Sequence, residues 1–271
     1  SSAASDVYKR QQYELVKQLA GWVKEEYNIP TIYGGVHPSI DPEGCINTPG
    51  IDMVCIGEGE KVLVELLDRM DNGEDIKNID SIWVKEDGKV YRNKVADLVE
   101  DIDEFPIPDR SVFDYKNLWD YKEGLLLVFA TRGCPFNCSY CINHQYRRIY
   151  PNYRKYVRFR KPEKVVEEIK KVKEKYPEMQ YVGFLDDSFC VRKDWLKEFL
   201  PIYKSEIGMP FYGNTSINLL DEDVIRWCVD AGAREFGIGI ESGIDTIRRK
   251  VLKRRMSNEK ILRVFQIAKK S

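Results

Sequence analysis

Three cysteines stand close together near the middle of the sequence, in the stretch TRGCPFNCSYC over residues 131–141. Cys134, Cys138 and Cys141 follow the spacing C-x3-C-x2-C. Thiolates at these intervals in one loop can converge on a metal ion, or each can hold one iron of a 4Fe–4S cluster. With three ligands from the protein, the fourth iron keeps a position for a ligand from outside the chain. The pattern therefore predicts an iron–sulfur centre with one open position.

A zinc site is the alternative use of the same loop. His144 lies three residues after Cys141 and could complete a Cys3His site with the three cysteines. Structural zinc sites usually join two ligand pairs across an intervening loop, whereas these residues form one short run. We therefore favour the iron–sulfur cluster and interpret His144 as a loop histidine or a neighbour of the cluster.

Composition narrows the class of protein. The chain has 271 residues, of which 43% are hydrophobic and 32% charged, and this composition is typical of a soluble globular protein. A net charge of −1 offers no overall field to attract nucleic acid or an anionic membrane. No apolar run is long enough to span a membrane, and no signal peptide is visible. Seven cysteines, an odd number with three clustered, argue against a disulfide framework and for a reducing, cytoplasmic location.

Residues 123–271 read as alternating strands and helices. The predicted strands are GLLLVFA, QYVGFL, PFYGNTSI and EFGIGI, and each precedes a helical pattern. We expect Asp221 and Ser257 to cap two of these helices and Gly232 to end one. Such alternation predicts an α/β fold with a parallel sheet. Polar or ligating residues follow all four strands, where α/β enzymes assemble their sites. They are the cysteine loop, Asp186 with Asp187, Asn214 with Ser216, and Glu241 with Ser242.

Residues 12–95 predict a second, smaller α/β region. A helix precedes a buried strand in IPTIYGG, and a second strand in GIDMVCIGEGE precedes another helix. Two strands are too few for an independent sheet of the usual size. The Asp-Gly pair in SIWVKEDGKVYRNKV predicts a β-hairpin. Residues 96–122, with Pro106 and Pro108, predict an extended linker.

The ends of the chain suggest a fragment. Residues 1–11, SSAASDVYKRQ, show no apolar periodicity and read as a non-native leader. We therefore expect native sequence to be missing upstream.

The cysteine motif, with the aromatic Tyr140 before its last cysteine and a strand before the loop, resembles the radical S-adenosylmethionine (radical SAM) superfamily. The resemblance implies a partial (β/α) barrel over residues 123–271, with the first four of six units. It implies that SAM binds the open iron, and that a reduced 4Fe–4S cluster cleaves SAM to a 5′-deoxyadenosyl radical. By position, the implied SAM-binding residues are Tyr140, Asp186, Asp187, Asn214, Ser216, Glu241 and Ser242. For Asp187 and Ser242, capping of the next helix is the alternative. No residue is assigned a catalytic role.

The N-terminal half resembles the cobalamin-binding domain of one radical SAM class. The resemblance lies in the order of YGGVHP, GEGE, the linker EFPIPDR and the cysteine loop. It implies a partial Rossmann-like domain in which Gly34, Gly35 and Gly57 approach cobalamin. The alternative is a Rossmann-like wall that binds no cofactor.

The implied function is a cobalamin-dependent methyltransferase or cyclase with a small-molecule substrate. A low-potential electron donor such as flavodoxin or ferredoxin is the expected partner. The alternatives are a cobalamin-independent radical SAM enzyme, RNA-modifying or methylthiotransferase-like, and a zinc-binding RNA-interaction module. Residues 146–161 mix basic and aromatic side chains as RNA-binding segments do, but the net charge argues against nucleic acid. A surface loop with Arg158 or Arg160 paired to a carboxylate is the interpretation we favour. We expect poor turnover from this fragment alone.

Overall fold

A computed structural model describes the backbone of residues 2–271 and the side chains of residues 12–271. The suggested leader, residues 1–11, lies outside the described side chains, and its first residue lies outside the description altogether. None of the helices in the described range combines the length and the apolar composition that are needed to cross a membrane.

The described chain divides into two compact units. Unit 1 contains the residues up to Val99 together with Tyr140–Lys155. Unit 2 contains Glu100–Ser139 and Tyr156–Ser271. The segment that follows the second motif cysteine therefore groups with the N-terminal unit, although the sequence pattern alone includes it in the barrel region.

The elements of the described residues are numbered in chain order. The α-helices are α1 Ser2–Tyr27, α2 Val36–Ile40, α3 Pro42–Ile46, α4 Glu60–Asp71, α5 Trp119–Lys122, α6 Asn143–Tyr146, α7 Pro162–Lys175, α8 Lys193–Glu206, α9 Glu222–Asp230 and α10 Asn258–Lys270. The strands are β1 Ile32–Tyr33, β2 Met53–Cys55, β3 Ile82–Glu86, β4 Lys89–Tyr91, β5 Leu125–Val128, β6 Thr131–Arg132, β7 Arg158–Phe159, β8 Tyr181–Phe184, β9 Phe211–Thr215 and β10 Ala233–Ile238. A π-helical turn covers Ile247–Val251.

Unit 1 contains a mixed sheet with the strand order β1-β2-β3-β4 in the described residues. Strand β1 pairs with β2 in parallel, and the hairpin β3-β4 adds to β2 in antiparallel fashion. Asp87 (φ 50°) and Gly88 (φ 76°) both have left-handed backbone, as a tight two-residue hairpin turn requires. The hairpin prediction is thus correct. The two hairpin strands also join the two strands expected from the sequence, so the described sheet of unit 1 has four strands.

Two details of unit 1 differ from the sequence prediction. The predicted buried strand around IPTIYGG is an edge strand, and Ile32 is 37% exposed. The short helices α2 and α3 were not predicted, since five residues are too few to show a helical period. Asp41 caps α3 by accepting a hydrogen bond from the Gly44 N–H at 3.0 Å.

Unit 2 is built on a parallel sheet whose order is β10-β9-β8-β5 within the described chain. The parallel pairs are β5 with β8, β8 with β9, and β9 with β10. Asp221 caps α9 at 3.1 Å from the Val224 N–H, and Ser257 caps α10 at 3.2 Å from the Lys260 N–H, as predicted. Four successive parallel strands with intervening helices confirm the predicted α/β fold class.

The helix-covered face of this sheet carries the core of unit 2. Phe184 stacks on Phe189 and Trp195 stacks on Phe199, each with ring centroids 4.6 Å apart. The opposite face stays partly exposed and carries Tyr212, whose ring occupies the space that a Cβ on Gly183 would need. The apolar side chains are thus concentrated on one face, which leaves the other for polar groups.

Buried ion pairs hold part of the predicted linker on unit 2. Glu168 is 2% exposed and pairs with both Arg110 and Arg160. Arg160 also reaches Asp103, whose carboxylate accepts the Lys161 N–H at 2.6 Å. The expected pairing of Arg160 with a carboxylate is therefore observed, and it anchors residues that the sequence suggested were extended.

Candidate functional site

The three motif cysteines form no disulfide and differ in exposure. Cys138 is buried, and Cys134 and Cys141 are half-buried. Cys134 and Cys138 belong to unit 2, whereas Cys141 belongs to unit 1. Across the described residues, no three or more His, Cys, Asp or Glu side chains are close enough together to hold a metal ion. The cluster ligands therefore stay a prediction that rests on the motif.

The part of the cysteine loop in unit 2 is anchored at both ends. At its start, β6 pairs with β7, and Gly133 (φ 86°) packs so closely on the Tyr156 carbonyl that a Cβ would clash. At its end, the Ser139 N–H donates to the Leu252 carbonyl at 3.1 Å, and its hydroxyl donates to the Val251 carbonyl at 2.7 Å. The loop thus presents its cysteines from a fixed backbone.

A guanidinium lies beside the central cysteine. Arg254 donates one N–H to the Cys138 sulfur at 3.6 Å and another to the Gly239 carbonyl at 2.6 Å. A nearby positive charge favours the thiolate, which is the form of cysteine that binds metal. The charge beside Cys138 therefore suits a cysteine that binds an iron–sulfur cluster as thiolate. Sequence analysis missed Arg254, because nothing in the run RRKVLKRR distinguishes one arginine from the next.

His144 makes a local contact inside unit 1. Its Nδ1 lies 2.6 Å from the Cys141 carbonyl, so this nitrogen carries the proton and donates it to the backbone. Asn143 approaches the Cys141 sulfur at 3.8 Å. Nδ1 of His144 is therefore occupied in holding its own loop and cannot bind zinc in this arrangement.

The neighbouring carboxylates after β8 have different environments. Asp186 is 1% exposed and accepts the backbone N–H groups of Ala130, at 3.3 Å, and of Thr131. Burial raises the pKa of Asp186 to about 6, although these hydrogen bonds favour its charged form. Asp187 is exposed. Asp186 thus secures the backbone that leads into the cysteine loop, and Asp187 is the member of the pair that a ligand can reach.

The candidate SAM-binding residues at the ends of β9 and β10 also differ in the exposure of their side chains. Asn214 and Glu241 are exposed, and Ser216 is buried. The Ser216 hydroxyl accepts the Asn218 N–H at 3.4 Å and so caps the short turn that follows. The Ser242 hydroxyl accepts the Ile244 N–H at 3.1 Å and so closes a local turn, whereas the helical turn that follows has Thr246 at its N-cap and no side-chain cap.

Two glycines make room for the exposed pair. The Asn214 amide oxygen lies where a Cβ on Gly237 would stand, and the Glu241 carboxylate lies where a Cβ on Gly239 would stand. Gly237 is directly opposite Asn214 in the β9-β10 register. Asn214 and Glu241 therefore each lie against glycine backbone, Asn214 near the C-terminal end of β10 and Glu241 just beyond it.

A fully buried arginine supports the loop that carries Glu241 and Ser242. Arg248 donates to the Ser242 carbonyl at 2.7 Å and to the Met256 carbonyl at 3.0 Å. Its Nη2 donates to Asp245 and Asn258. A buried cation of this kind holds a loop firmly because each of its three nitrogens has an acceptor. The sequence contains no signal that singles out Arg248.

The candidate cobalamin glycines of unit 1 differ from one another. A Cβ on Gly35 (φ 98°) would meet no atom within 4 Å, and one on Gly34 would make only ordinary contact with Cys55. A Cβ on Gly57 (φ 89°) would come within 2.9 Å of the Tyr150 hydroxyl. The backbone at Gly35 is therefore open to a ligand, whereas Tyr150 covers Gly57.

Ser39 links the two glycine turns. Its hydroxyl donates to the Gly35 carbonyl at 2.6 Å and accepts the Gly57 N–H at 2.8 Å. Ser39 is 3% exposed. Sequence analysis missed this residue, because a serine inside a short helix shows no pattern of its own.

Comparison with known families identifies the C-terminal part of the chain. The sequence profile of the radical SAM superfamily matches residues 128–271. The chain belongs to the radical SAM superfamily. A second profile, that of the B12 binding domain, matches residues 2–67. These matches confirm the predicted family and its class, the enzymatic nature of the protein, and the 4Fe–4S cluster and SAM as its family cofactors. They also support cobalamin.

Relatives extend over most of this radical SAM chain. An uncharacterized methyltransferase of Pyrococcus horikoshii is 30% identical over 247 residues, which cover 89% of this chain and 50% of that protein. The anaerobic magnesium-protoporphyrin IX monomethyl ester cyclase of Rubrivivax gelatinosus is 26% identical over 238 residues, covering 84% of this chain and 41% of that protein. This chain therefore spans half or less of the length of these curated relatives.

Solved structures share the fold. The radical S-adenosylmethionine methyltransferase TsrM of Kitasatospora setae superposes with a TM-score of 0.74 at 16% identity, covering 94% of this chain and 50% of that chain. The cobalamin-dependent radical enzyme OxsB superposes with a TM-score of 0.73 at 17% identity, covering 96% of this chain and 37% of that chain. At these identities the likeness establishes the fold.

Proposed function

We propose that the whole protein is a cobalamin-dependent radical SAM enzyme that methylates or cyclises a small-molecule substrate. The observation that carries the proposal is the order of the two family matches on one chain, B12 binding at residues 2–67 and radical SAM at residues 128–271. Relatives named as methyltransferases and as a ring-forming cyclase support both outcomes. We also propose the domain boundaries of the sequence analysis: 12–95, 96–122 and 123–271.

In this proposal, Cys134, Cys138 and Cys141 hold a 4Fe–4S cluster, and the half-buried Tyr140 contacts SAM beside it. A bound cluster supplies the electron that cleaves SAM to a 5′-deoxyadenosyl radical. The fixed loop backbone and the guanidinium beside Cys138 support this assignment. The protein's part is to hold the reacting groups in position and to keep solvent away from them.

Six polar residues take two kinds of role toward SAM. Exposed Asp187, Asn214 and Glu241 contact it, since a carboxylate suits the methionyl ammonium and the ribose diol. Buried Asp186 secures the start of the cysteine loop. The two serines are also structural. The hydroxyls of Ser216 and Ser242 accept hydrogen bonds within the turns beside Asn214 and Glu241, and they assist binding only through these turns.

In unit 1, we infer that the open backbone at Gly34 and Gly35 approaches cobalamin. Gly57 contributes through its turn, which Ser39 ties to Gly35. Electrons come from a low-potential donor such as flavodoxin or ferredoxin. Seven free cysteines are consistent with a reducing cytoplasm.

Anaerobic reconstitution of the full-length protein tests the cluster assignment. The expected product is a brown protein with about four irons, and Cys138→Ala should abolish it. Cys55→Ala, which changes a buried cysteine of unit 1 outside the motif, is the matched control and should keep the iron. A colourless protein with one zinc would overturn the proposal.

Cobalamin binding is tested separately. The reconstituted full-length protein is mixed with micromolar hydroxocobalamin, passed through a desalting column and analysed by its absorption spectrum. Retention of about one cobalamin per protein is expected. Loss of all cobalamin from a protein that keeps its cluster would favour the cobalamin-independent alternative.

A further inference from the structure

The side chain of Arg254 connects two segments of unit 2 that lie far apart in sequence. One N–H reaches the sulfur of Cys138 at 3.6 Å, and another reaches the carbonyl of Gly239 at 2.6 Å. Gly239 lies two residues before Glu241, and the Glu241 carboxylate folds back over it. The guanidinium therefore bridges a candidate cluster ligand and the segment that carries a candidate SAM contact.

The position of Arg254 is set by the loop after β10. Its backbone N–H donates to the Arg248 carbonyl at 2.9 Å. Arg248 is itself fully buried and holds the carbonyls of Ser242 and Met256. Ser139, next to Cys138, bonds to the same loop through Val251 and Leu252. Arg254 thus approaches the cysteine from a braced backbone, which limits the entropy lost when the contact forms.

The chemical effect of this contact follows from charge. A guanidinium remains protonated at all working pH values and donates in a fixed, planar geometry. Hydrogen bonds to ligand sulfurs and nearby positive charge stabilise the more negative state of an iron–sulfur cluster, and hence raise its reduction potential. One-electron reduction by the low-potential donor adds one negative charge to the cluster, so the reduced state gains more from Arg254 than the oxidised state.

We propose that Arg254 is a positioning residue that raises the reduction potential of the cluster at Cys138 and holds that cysteine against the Glu241 segment. The inference rests on the proposed function, because it needs a cluster on Cys138. It assigns a task in electron uptake to a residue that sequence analysis did not single out.

The test compares three variants of the full-length, reconstituted protein. Arg254→Gln removes the charge, and Arg254→Lys keeps the charge but can reach fewer acceptors. Arg255→Gln is the matched control, since it removes the adjacent, exposed arginine. Iron content, circular dichroism and a redox titration of the cluster, followed by electron paramagnetic resonance, are measured for each.

With iron content unchanged, Arg254→Gln should lower the midpoint potential. At the parent's midpoint, the ratio of reduced to oxidised cluster should fall about fivefold, equivalent to about 1 kcal/mol. Arg254→Lys should restore part of the shift, and Arg255→Gln should match the parent. The electron paramagnetic resonance change that SAM induces should also be weaker in Arg254→Gln. The reason is that the segment carrying Glu241 loses the hydrogen bond from Arg254 to the Gly239 carbonyl.

The outcomes separate the two proposals. A parent protein without a cluster would overturn the proposed function itself. A normal cluster with the same midpoint potential in Arg254→Gln as in the parent would overturn the role of Arg254 alone. If circular dichroism shows that Arg254→Gln is unfolded, Arg254→Met, which also removes the charge and keeps a long side chain, takes its place, and a parental potential in that variant overturns the inference.

Discussion

The strand ends of the two units offer a ligand different kinds of chemistry. In unit 2 they present side chains: Asp187, Asn214 and Glu241 are exposed there. In unit 1 they present backbone, since Gly35 is open and carries no side chain. Side-chain carboxylates and amides suit a small zwitterion with a ribose, whereas bare backbone suits close approach of a larger group.

In both units, however, some candidate residues are accessible to a ligand, whereas others are buried or covered and support the local structure. The Asp186 side chain is buried and accepts hydrogen bonds from backbone N–H groups, whereas the Asp187 side chain is exposed. Gly57 is covered by Tyr150 while Gly35 is open. Four experiments test this distinction, and they are given in order of decreasing size of effect.

Removing the Asp186 carboxylate should cause the largest loss of stability. Asp186→Ala leaves the N–H groups of Ala130 and Thr131 buried without their acceptor. We expect the free energy of unfolding to fall by about 2–4 kcal/mol, measured by urea denaturation. Asp187→Ala is the control and should change it by less than about 0.5 kcal/mol. Equal losses in both variants would contradict the distinction.

The glycine turns of unit 1 should differ in the same sense. Gly57→Ala forces a Cβ against the Tyr150 ring and strains a left-handed backbone, so we expect a loss of about 2–3 kcal/mol. Gly35→Ala strains the backbone without a clash and should cost about 1 kcal/mol. Thermal unfolding measures the loss of stability in both variants. A larger loss in Gly35→Ala than in Gly57→Ala would show that the Tyr150 side chain moves aside easily.

The dependence of stability on pH should reveal the buried carboxyl group. Because the pKa of folded Asp186 is raised to about 6 from 3.8, its contribution to stability is fully present below about pH 4 and is lost as pH rises through about 6. Asp186→Asn cannot ionise and should remove this loss, on the order of 2 kcal/mol between pH 4 and 7. Urea titrations of both proteins at the two pH values provide the measurement. Parallel pH profiles would mean that Asp186 is not responsible.

The smallest expected effect concerns ligand binding in unit 2. Glu241→Gln should weaken SAM binding to the reconstituted full-length protein about tenfold, or about 1.4 kcal/mol, with stability unchanged. Ser242→Ala should cost about 0.5–1 kcal/mol of stability through the lost hydrogen bond of its turn and leave SAM binding within about twofold. Isothermal titration calorimetry and thermal unfolding separate the two effects. If Ser242→Ala weakened SAM binding and Glu241→Gln did not, Ser242 would be the SAM contact and Glu241 the structural residue, which would contradict the proposal.

Much of unit 2 could be predicted from the sequence, because its signals are local. Strand and helix periods and the caps Asp221 and Ser257 each depend on residues within one element, and in unit 1 the same is true of the Asp87-Gly88 turn. The fold class and the family followed from these signals and from the cysteine spacing. The positions of polar residues at strand ends were also predictable, since parallel strands end at one edge of a sheet.

Other features required the folded chain, because they join residues that are distant in sequence. Arg254 contacts Cys138 across 116 positions, and no local pattern marks either the arginine or the contact. The hairpin joined the sheet of unit 1 through β2, which its own sequence does not specify.

The α/β repeats, the C-x3-C-x2-C motif and membership of the radical SAM superfamily can be recognised from the amino-acid sequence, since they depend on short-range spacing. Which residue of the Asp186-Asp187 pair is buried depends on the folded chain. Asp186 and Asp187 have the same side chain, and the direction in which each points depends on the backbone packed around it. Burial is a property of the whole fold, so neighbours that look alike in sequence came to have different environments and different roles.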